Sequence, residues 1–415
     1  MRLVKPGEID FARIVRPGDL VVWGQACAEP LVLTAGLARQ RHRIGGFSAF
    51  VGISLGAVTD PDHADCIAFR SFCATGTNRR LIEAGRLDLL PLHYSRLPSW
   101  LEPRVDVLLL QLARCPDGSY SLSAACDYVA GLVGRARLVV AEINAQAPVT
   151  DARIAAERID VAVEVDYPPA ELARATPSQA ERRVAAHVAA LVEDGATLQF
   201  GLGSVPEAVA PLLEDRRRLG LHSGVLSDSA ISLIRTGAVD NSAKALDAGV
   251  SVTGTLLGSR ELLEFASGRH DISLRPIAQT HSLARIAAQP RFTAINSAIE
   301  VDLSGQANTE TAAGRYVGTI GGALDFTRGA HASEGGLAIL ALPSVATRRD
   351  GTAVSRIVAR LSGPAAIGRA DAGIVVTEHG AADLRGLGLG ERRDALLQIA
   401  DPRFRDELAA ASRGP

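Results

Sequence analysis

The sequence has 415 residues, of which 47% are hydrophobic and 22% charged, and this composition excludes a disordered or low-complexity chain. Its 44 basic and 46 acidic residues give a net charge of −2, so neither nucleic acid nor a membrane surface is expected as a partner. A chain of this length is expected to form two or three domains.

The cysteines and the hydropathy pattern indicate the cellular compartment. Five cysteines, none in a Cys-x-x-Cys pair, fit a reducing compartment better than a disulfide framework. No apolar stretch reaches the ~18 residues of a membrane span, and the charged, proline-interrupted start is unlike a signal peptide. We therefore expect a cytoplasmic protein, and the histidine spacing predicts no metal site.

Short apolar runs alternate with helical patterns along the chain, which predicts an α/β fold with mostly parallel, open sheets. The predicted strands are residues 19–22, 106–111, 138–142, 197–200, 337–342 and 374–377. Apolar residues at three- and four-residue spacing predict helices over 178–193 and 207–213.

Two sequence pairs indicate an internal duplication. Residues 16–30 resemble residues 193–207, because in each copy a glycine precedes a strand, a second glycine ends it and a proline opens the next helix. LVVAEIN at 138–144 likewise resembles IVVTEHG at 374–380. The second half is thus predicted to be a copy of the first, with the boundary within 168–176.

Two glycine-rich segments are candidate ligand loops. GLGSVP at 201–206 stands between a predicted strand and helix, where free backbone N–H groups can receive an anion or a developing oxyanion. It lacks the third glycine of a dinucleotide fingerprint and the Gly-Lys-Ser/Thr of a P-loop. The second segment has seven glycines between residues 314 and 336, which argues against a packed helix and predicts either a flexible surface loop or an ordered, ligand-facing one.

Signatures of hydrolases and zinc proteases are absent from the sequence. Among nine histidines, His222 and His379 each follow a predicted strand. On this pattern alone a packed or surface histidine is the commoner outcome.

Several blocks of the second half occur in a recognisable order. They are QFGLGSVPEAVAPLLEDRRRLGLHSGVLSD, INSAIEVDLSGQAN, GTIGGALDFTRGA, SEGG, VVTEHGAADLRG and IADPRFRDEL. They resemble the acetyl-CoA hydrolase/transferase family, which includes 4-hydroxybutyrate and butyrate–acetate CoA-transferases. NRRLIEAGRLDLLPLHYS and ARLVVAEINAQAP in the first half fit the same family.

The resemblance implies a CoA-thioester enzyme with two tandem CoA-transferase-type α/β domains, at residues 1–172 and 173–415. It implies an acyl-CoA and a small carboxylic acid as partners, a homo-oligomeric assembly, and no cofactor besides the CoA substrate. Backbone N–H groups of the glycine turns would stabilise the oxyanion. The positions implied for CoA binding are Gly201, Gly203, Ser204, Val205, Pro206, Gly318, Gly321, Gly322, Asp325, Gly335 and Gly336.

One position departs from the family pattern. The family's nucleophile is the glutamate of a His-[Ser/Thr]-Glu-[Met/Leu] motif, which attacks the acyl-CoA and becomes a glutamyl-CoA thioester. Here His222 and Ser223 are followed by Gly224, and the flanking residues match without a gap. Glycine can neither be acylated nor act as a base, so CoA transfer through this intermediate lacks its carboxylate.

Three interpretations remain open at this position. In the first, water or a substrate carboxylate takes the vacated space, which gives a hydrolase, a C–C cleaving or decarboxylating lyase, or a transferase without a protein nucleophile. In the second, another carboxylate such as Glu334 replaces the glutamate and CoA transfer continues. In the third, the protein binds CoA esters without turnover.

The retained glycine turns favour continued thioester chemistry over a scaffold role. The prediction is therefore an enzyme that acts on a short acyl-CoA by CoA transfer or thioester hydrolysis, with a non-standard mechanism. Its predicted catalytic positions are His222, Ser223, Gly224 and Glu378, and further candidate bases are Asp228 and His379.

Overall fold

The computed structural model describes residues 1–348 and 350–411, and contacts within it divide the chain into two compact units. The first unit comprises Met1–Arg174, Gly224–Asp228 and Val252–Thr280. The second comprises Ala175–Ser223, Ser229–Ser251 and the chain from His281 onwards. A single division after residue 172, which the sequence predicts for the duplication, stays a prediction.

The elements of residues 1–174 alternate between strand and helix. The strands are β1 (Arg2–Val4), β2 (Leu20–Trp23), β3 (Phe47–Phe50), β4 (Ile67–Ser71), β5 (Leu87–Leu89), β6 (Val107–Arg114), β7 (Tyr120–Ser121), β8 (Leu138–Asn144), β9 (Arg153–Ile154) and β10 (Val161–Val165). The α-helices are α1 (Phe11–Ile14), α2 (Leu31–Ile44), α3 (Asn78–Glu83), α4 (Leu97–Leu101) and α5 (Val129–Leu132).

The rest of the described chain continues the alternation. Its helices are α6 (Gln179–Leu191), α7 (Ser204–Val209), α8 (Ser229–Arg235), α9 (Arg260–Ala266), α10 (Ile277–Thr280), α11 (Leu283–Ala287), α12 (Ala323–Ala332), α13 (Leu389–Ile399) and α14 (Arg405–Ala411). Its strands are β11 (Thr197–Phe200), β12 (Gly220–Leu221), β13 (Val225–Leu226), β14 (Ser251–Thr253), β15 (Thr255–Leu256), β16 (Ile272–Leu274), β17 (Phe292–Asn296), β18 (Glu300–Asp302), β19 (Ala307–Asn308), β20 (Thr311–Ala312), β21 (Arg315–Tyr316), β22 (Leu337–Ala341), β23 (Val345–Thr347), β24 (Ala353–Ser355), β25 (Ile357–Val358), β26 (Ile374–Thr377) and β27 (Gly380–Asp383). Among the described residues, no helix combines the length and the hydropathy that crossing a membrane requires.

The main sheet of the first unit has ten strands. Eight follow the order β1-β10-β8-β6-β2-β3-β4-β5, with all neighbours parallel, while β7 pairs antiparallel with β6 and with β9. All four residues of β2 and the first seven of β6 are buried, as expected for a parallel sheet covered on both faces. Trp23, Leu33 and Phe47 belong to the apolar cluster that packs on it.

The main sheet of the second unit, called the second sheet below, has the order β12-β11-β17-β22-β26-β27. Its neighbours are parallel except for β27, which pairs antiparallel with β26. The helix before its first strand, α6, begins with a capping box in which Ser178 and Glu181 satisfy each other's backbone N–H. The α/β fold class with parallel sheets is thus confirmed.

The two sheets share a strand order that supports duplication. In the first, β2 has β3 on one side and β6, β8 and β10 in succession on the other. In the second, β11 has β12 on one side and β17, β22 and β26 on the other. The pair 16–30 and 193–207 therefore occupies matching positions. The predicted match of 138–144 with 374–380 is wrong by one strand: in this order β8 corresponds to β22, whereas residues 374–377 form β26. Buried parallel strands resemble one another in sequence, which explains the mismatch.

The glycine-rich segment 314–336 differs from its prediction. Residues Ala323–Ala332 form helix α12 rather than a loop. The buried Gly329 lies inside this helix, and a Cβ there would come within 2.3 Å of Ile286 Cγ2 on α11. Close packing of the two helices therefore offsets the low helix propensity of glycine.

Candidate active site

Most of the predicted site residues of the second unit lie at one edge of the second sheet. Parallel strands all end at the same edge, and ligands of open α/β sheets bind outside these carboxyl ends. The segments that leave this edge are 201–206 after β11, 222–223 after β12, 297–299 after β17, 342–344 after β22 and 378–379 after β26. The carboxyl edge of the second sheet is the candidate active site of this unit.

The turn 201–206 is held directly on the neighbouring strand. The N–H of Gly201 donates to the Ile295 carbonyl at 2.8 Å, and a Cβ on Gly201 would lie 2.8 Å from Asn296 Oδ1. Gly203 has a φ of +130°, which residues with a side chain rarely adopt. Both glycines are therefore required by the backbone path. Val205 and Pro206 are buried in α7 and pack inside the unit.

Ser204 and Glu181 fix the start of α7 at this edge. The Ser204 hydroxyl donates to the Glu181 carboxylate, and Ser178 N–H donates to the same carboxylate at 2.7 Å. Burial opposes the ionisation of Glu181, but these hydrogen bonds outweigh it and lower the carboxyl pKa. The Ser204 side chain is thus engaged with protein.

Glu378 joins the ends of two strands. Its Oε2 accepts from the Ser344 N–H at 2.7 Å and its Oε1 from the Ser344 hydroxyl at 2.8 Å. The carboxylate side chain is only 8% exposed, and His379 Nε2 lies 4.0 Å from it. With both oxygens engaged, Glu378 holds β26 to the segment after β22.

Arg356 is a cation near this edge that the sequence analysis missed. Its Nε donates to the Ile299 carbonyl at 2.8 Å, and a second guanidinium nitrogen donates to Ala298. Desolvation lowers the pKa of Arg356, while the charges of Glu181 and Glu378 act in the opposite direction. This cation therefore balances two carboxylates.

His222 and Ser223 lie inside the second unit. His222 is fully buried, and its ring meets the Phe292 ring edge-on at 6.1 Å. Burial, together with the charge of His222, lowers the pKa of the neighbouring His281 to about 3, so His281 is neutral. The Ser223 hydroxyl, 1% exposed as a residue, donates to the Phe200 carbonyl at 3.2 Å.

The segment before α12 is tightly placed as well. A Cβ on Gly318 would lie 2.1 Å from the Thr309 carbonyl oxygen, and one on Gly322 would lie 2.5 Å from His281 Nε2. Gly321 has a φ of +55°. Asp325 lies in the first turn of α12. These glycines allow the chain to pass closely over its neighbours before the helix begins.

The structure does not bring the SEGG segment to the same edge. Residues 333–336 connect the end of α12 to the start of β22, so they lie at the amino ends of the strands. The Glu334 carbonyl accepts from the N–H of Arg291 at 2.7 Å. Arg291 immediately precedes β17 and therefore also lies at the amino edge of the sheet. Glu334, Gly335 and Gly336 are thus separated from residues 201–206 by the length of the strands, roughly 13 Å for four residues.

Gly224 is assigned to the first unit, where it precedes β13. Its carbonyl accepts from the Gly254 N–H at 3.1 Å, and β13 pairs in parallel with β15. Gly224 is half-buried, and it is not among the described glycines with positive φ. Its backbone is therefore open to a residue with a side chain.

The sequence analysis missed a buried polar network of the first unit that is centred on Asp127. It includes Thr255, the residue that follows Gly254. Asp127 Oδ2 accepts from Thr255 Oγ1 at 2.7 Å, from Gln25 Nε2 at 2.6 Å and from the Tyr94 hydroxyl at 3.3 Å. Burial raises the pKa of Asp127, although the hydrogen bonds from Thr255 and Gln25 act against the shift. The only sequence signal was Gln25, which stands in the first-half copy of the glycine turn.

These sheets and turns define an α/β protein of the CoA-transferase type. The acetyl-CoA hydrolase/transferase N-terminal domain model matches residues 2–175, and the C-terminal domain model of the same family matches residues 258–412. The chain belongs to the acetyl-CoA hydrolase/transferase family, and it is an enzyme of CoA transfer or acyl-CoA hydrolysis. The predicted resemblance is confirmed.

Individual relatives agree with this assignment over the whole chain. The 4-hydroxybutyrate coenzyme A transferase of Clostridium kluyveri is 33% identical, covering 94% of this chain and 92% of its own. The crystal structure of RipA from Yersinia pestis superposes with a TM-score of 0.93 at 31% identity, covering 99% of this chain and 97% of its own. A 4-hydroxybutyrate CoA-transferase structure from Porphyromonas gingivalis gives a TM-score of 0.83 at 31% identity, with coverage of 99% and 97%.

Proposed function

We propose that the protein acts on a short acyl-CoA by direct attack of an acceptor carboxylate, or of water, on the thioester. No covalent adduct forms on residue 224 in this mechanism. The observation that carries the proposal is Gly224 itself, which stands in a motif whose flanks match the family while the side chain of the nucleophile is missing. The relatives named for 4-hydroxybutyrate support a short acyl group and a small carboxylic acid as the two substrates.

The carboxyl edge of the second sheet supports a role for its turns in holding the thioester. The turn 201–206 and the segment 318–322 are fixed by close backbone contacts. Preorganised N–H groups stabilise charge that develops on a carbonyl oxygen, since they need no reorganisation during the reaction. The N–H groups of Gly201 and Gly318 donate to Ile295 and Glu310, so this role falls to other N–H groups of the two segments. We assign the oxyanion site to these two segments.

Glu378 is better suited to positioning than to attack. Both of its oxygens accept hydrogen bonds from Ser344, and its side chain is only 8% exposed. As a nucleophile it would have to give up these bonds. We therefore propose that Glu378 keeps the ends of β22 and β26 in place.

The proposed transfer balances without a further reactant. An acceptor carboxylate oxygen attacks the thioester carbonyl, a C–O bond forms, the C–S bond breaks, and CoA leaves as the thiolate. The thiolate then attacks the acceptor carbonyl of the resulting anhydride, which forms the new thioester and releases the original acid as a carboxylate. In hydrolysis, water replaces the acceptor, and its protons go to the thiolate and to bulk solvent.

Initial-rate kinetics and adduct trapping test the proposal together. With acyl-CoA and acetate as substrates, the wild type should give intersecting double-reciprocal lines, because both substrates must be bound before attack. Borohydride or hydroxylamine treatment during turnover, followed by peptide mass spectrometry, should find no modified carboxylate. CoA release without acetate would identify water as the attacking group.

Gly224→Glu and Gly224→Gln form a matched pair for the same position. The glutamate variant should gain a trappable glutamyl-CoA and parallel, ping-pong lines, whereas the glutamine variant, of the same size, should gain neither. An adduct on any carboxylate of the wild type would refute direct attack. Binding of acyl-CoA without turnover by the wild type would support the non-catalytic interpretation instead.

A further inference from the structure

Three side chains with metal-binding atoms meet on the first unit. His42, Asp65 and Cys66 each offer one ligand atom, and these atoms lie within 4.8 Å of one another. Cys66 Sγ is 3.4 Å from His42 Nδ1, and His42 Nε2 is 3.3 Å from Asp65 Oδ2. We propose that these three residues bind a divalent metal ion of the zinc class.

Local structure brings the three residues together from two segments. His42 lies in the last turn of α2. Asp65 ends a short 3₁₀ turn, Pro61–Asp65, which begins with the Asp60 side chain accepting from Asp62 N–H. Cys66 follows immediately and precedes β4. A bound ion would therefore join the end of α2 to the start of β4.

The donor set and its spacing fit zinc. A thiolate, an imidazole nitrogen and a carboxylate oxygen are the three ligand types of zinc sites, and a water molecule completes the tetrahedron. Zinc bonds of about 2.3 Å to sulfur and 2.0 Å to nitrogen place the two ligand atoms roughly 3.5 Å apart in a tetrahedron, close to the separation of Cys66 Sγ and His42 Nδ1. Asp65 faces Nε2, the other nitrogen of the ring, so binding requires the imidazole or the carboxylate to turn. The side chains of His42 and Asp65 are 63% and 40% exposed, so they can turn towards an ion.

Arg41 supplies an outer contact that orients the carboxylate. Its Nε donates to Asp65 Oδ1 at 2.6 Å and its NH2 group to Oδ2 at 3.0 Å. A carboxylate has about four lone-pair sites, so the two bonds to Arg41 do not use up its capacity to bind an ion. Hydrogen-bonded outer partners of this kind are usual around metal ligands. The Arg41 charge also offsets part of the negative charge of thiolate and carboxylate.

Cys66 is the cysteine that an ion from solution can reach. The other four, Cys27, Cys73, Cys115 and Cys126, are buried. The sequence analysis predicted no metal site because His42 and Cys66 are 24 residues apart, which matches no familiar zinc spacing. The proposal departs from that prediction on the basis of the folded geometry, and it is independent of the proposed function.

Titration of the full-length protein with metal alone tests the site. After treatment with a chelator, the wild type should bind one equivalent of Zn²⁺ per chain in competition with a chromophoric chelator. Co²⁺ should give a thiolate-to-metal charge-transfer band in the near ultraviolet. Cys66→Ala and His42→Ala should lose the stoichiometric binding, and Asp65→Asn should weaken it at least tenfold.

His187→Ala is the matched control, since His187 is an exposed histidine on α6 of the second unit. It should bind zinc as the wild type does. Circular dichroism of each variant establishes that loss of binding is not loss of fold. A wild type without a saturable equivalent of zinc, or a charge-transfer band that survives in Cys66→Ala, would overturn the proposal.

Discussion

Glu142 on β8 is expected to make the first unit less stable as the pH rises. Its side chain is fully buried. One carboxyl oxygen accepts from the N–H groups of Val32 and Leu33 in the first turn of α2, at 3.1 and 3.2 Å, and the other shares a hydrogen bond with the Tyr167 hydroxyl. Burial is the largest effect, and it raises the pKa of Glu142 to about 8 although the backbone hydrogen bonds oppose it.

The sign and the size of the effect follow from proton binding. An unperturbed glutamate has a pKa of 4.5, so between pH 4.5 and 8 the folded state holds one proton more than the unfolded state. The free energy of unfolding therefore falls as the pH rises through this window, by about 1.4 kcal/mol per pH unit. Over the whole window the loss is on the order of 5 kcal/mol.

Native-state hydrogen exchange of the β8 amides measures this slope without requiring both units to unfold together. Glu142→Gln keeps the shape of the side chain and cannot ionise, so its opening free energy should fall less steeply with pH than that of the wild type, by about 1.4 kcal/mol per pH unit. Any slope that remains comes from other buried carboxyls with a raised pKa, such as Glu29 and Asp127. Glu157 is an exposed carboxyl of the same unit, so the control variant Glu157→Gln should show the same change of opening free energy with pH as the wild type. Wild-type protection that stays flat or increases between about pH 5 and about pH 8 would refute the reasoning.

Two substitutions test packing and hydrogen bonding elsewhere, and urea titration measures both. Gly329→Ala should destabilise the protein by about 1–3 kcal/mol, because its Cβ would lie 2.3 Å from Ile286, and this clash outweighs the higher helix propensity of alanine. Adding Ile286→Ala should recover part of that loss. If the two losses are additive, there is no clash. Asp127→Asn should cost about 1–3 kcal/mol. Asp127 Oδ2 accepts from the Gln25 NH₂ group and Oδ1 from the Tyr128 N–H, so either amide orientation sets its own NH₂ group against a donor. An Asp127→Asn protein as stable as the wild type would exclude this account.

The local hydrophobic pattern of the sequence was enough to predict the fold class and several of the strands. The strands predicted at 197–200 and 374–377 have the same bounds in the structure, because a buried parallel strand is apolar on both faces and is bounded by turn residues. Helix α12 was missed because glycine content is a local property. Gly329 is tolerated there through its contact with Ile286, which belongs to another helix.

The candidate site was only partly predictable for the same reason. The turn 201–206 and Glu378 follow predicted strands, so a strand prediction also places them at the carboxyl edge of the sheet. The partners of Glu378 and Asp127 could not be predicted, since Ser344 is 34 residues away and Thr255 is 128 residues away. No spacing rule reaches across such distances.

Gly224–Asp228 and Val252–Thr280 belong to the first unit although they follow much of the second unit in the sequence, and this affects how the protein folds during synthesis. Leu256 N–H donates to the Ala124 carbonyl at 2.7 Å, and Cys126 N–H donates to the Gly254 carbonyl at 2.9 Å. A ribosome synthesises the chain from the N-terminus, so more than a hundred further residues must be added after Ala124 before its hydrogen-bond donor, Leu256, exists. Such long-range closure slows folding. A nascent chain that stalls after residue 174 would present an unfinished surface to chaperones and proteases, and an expression fragment cut there would keep that surface permanently.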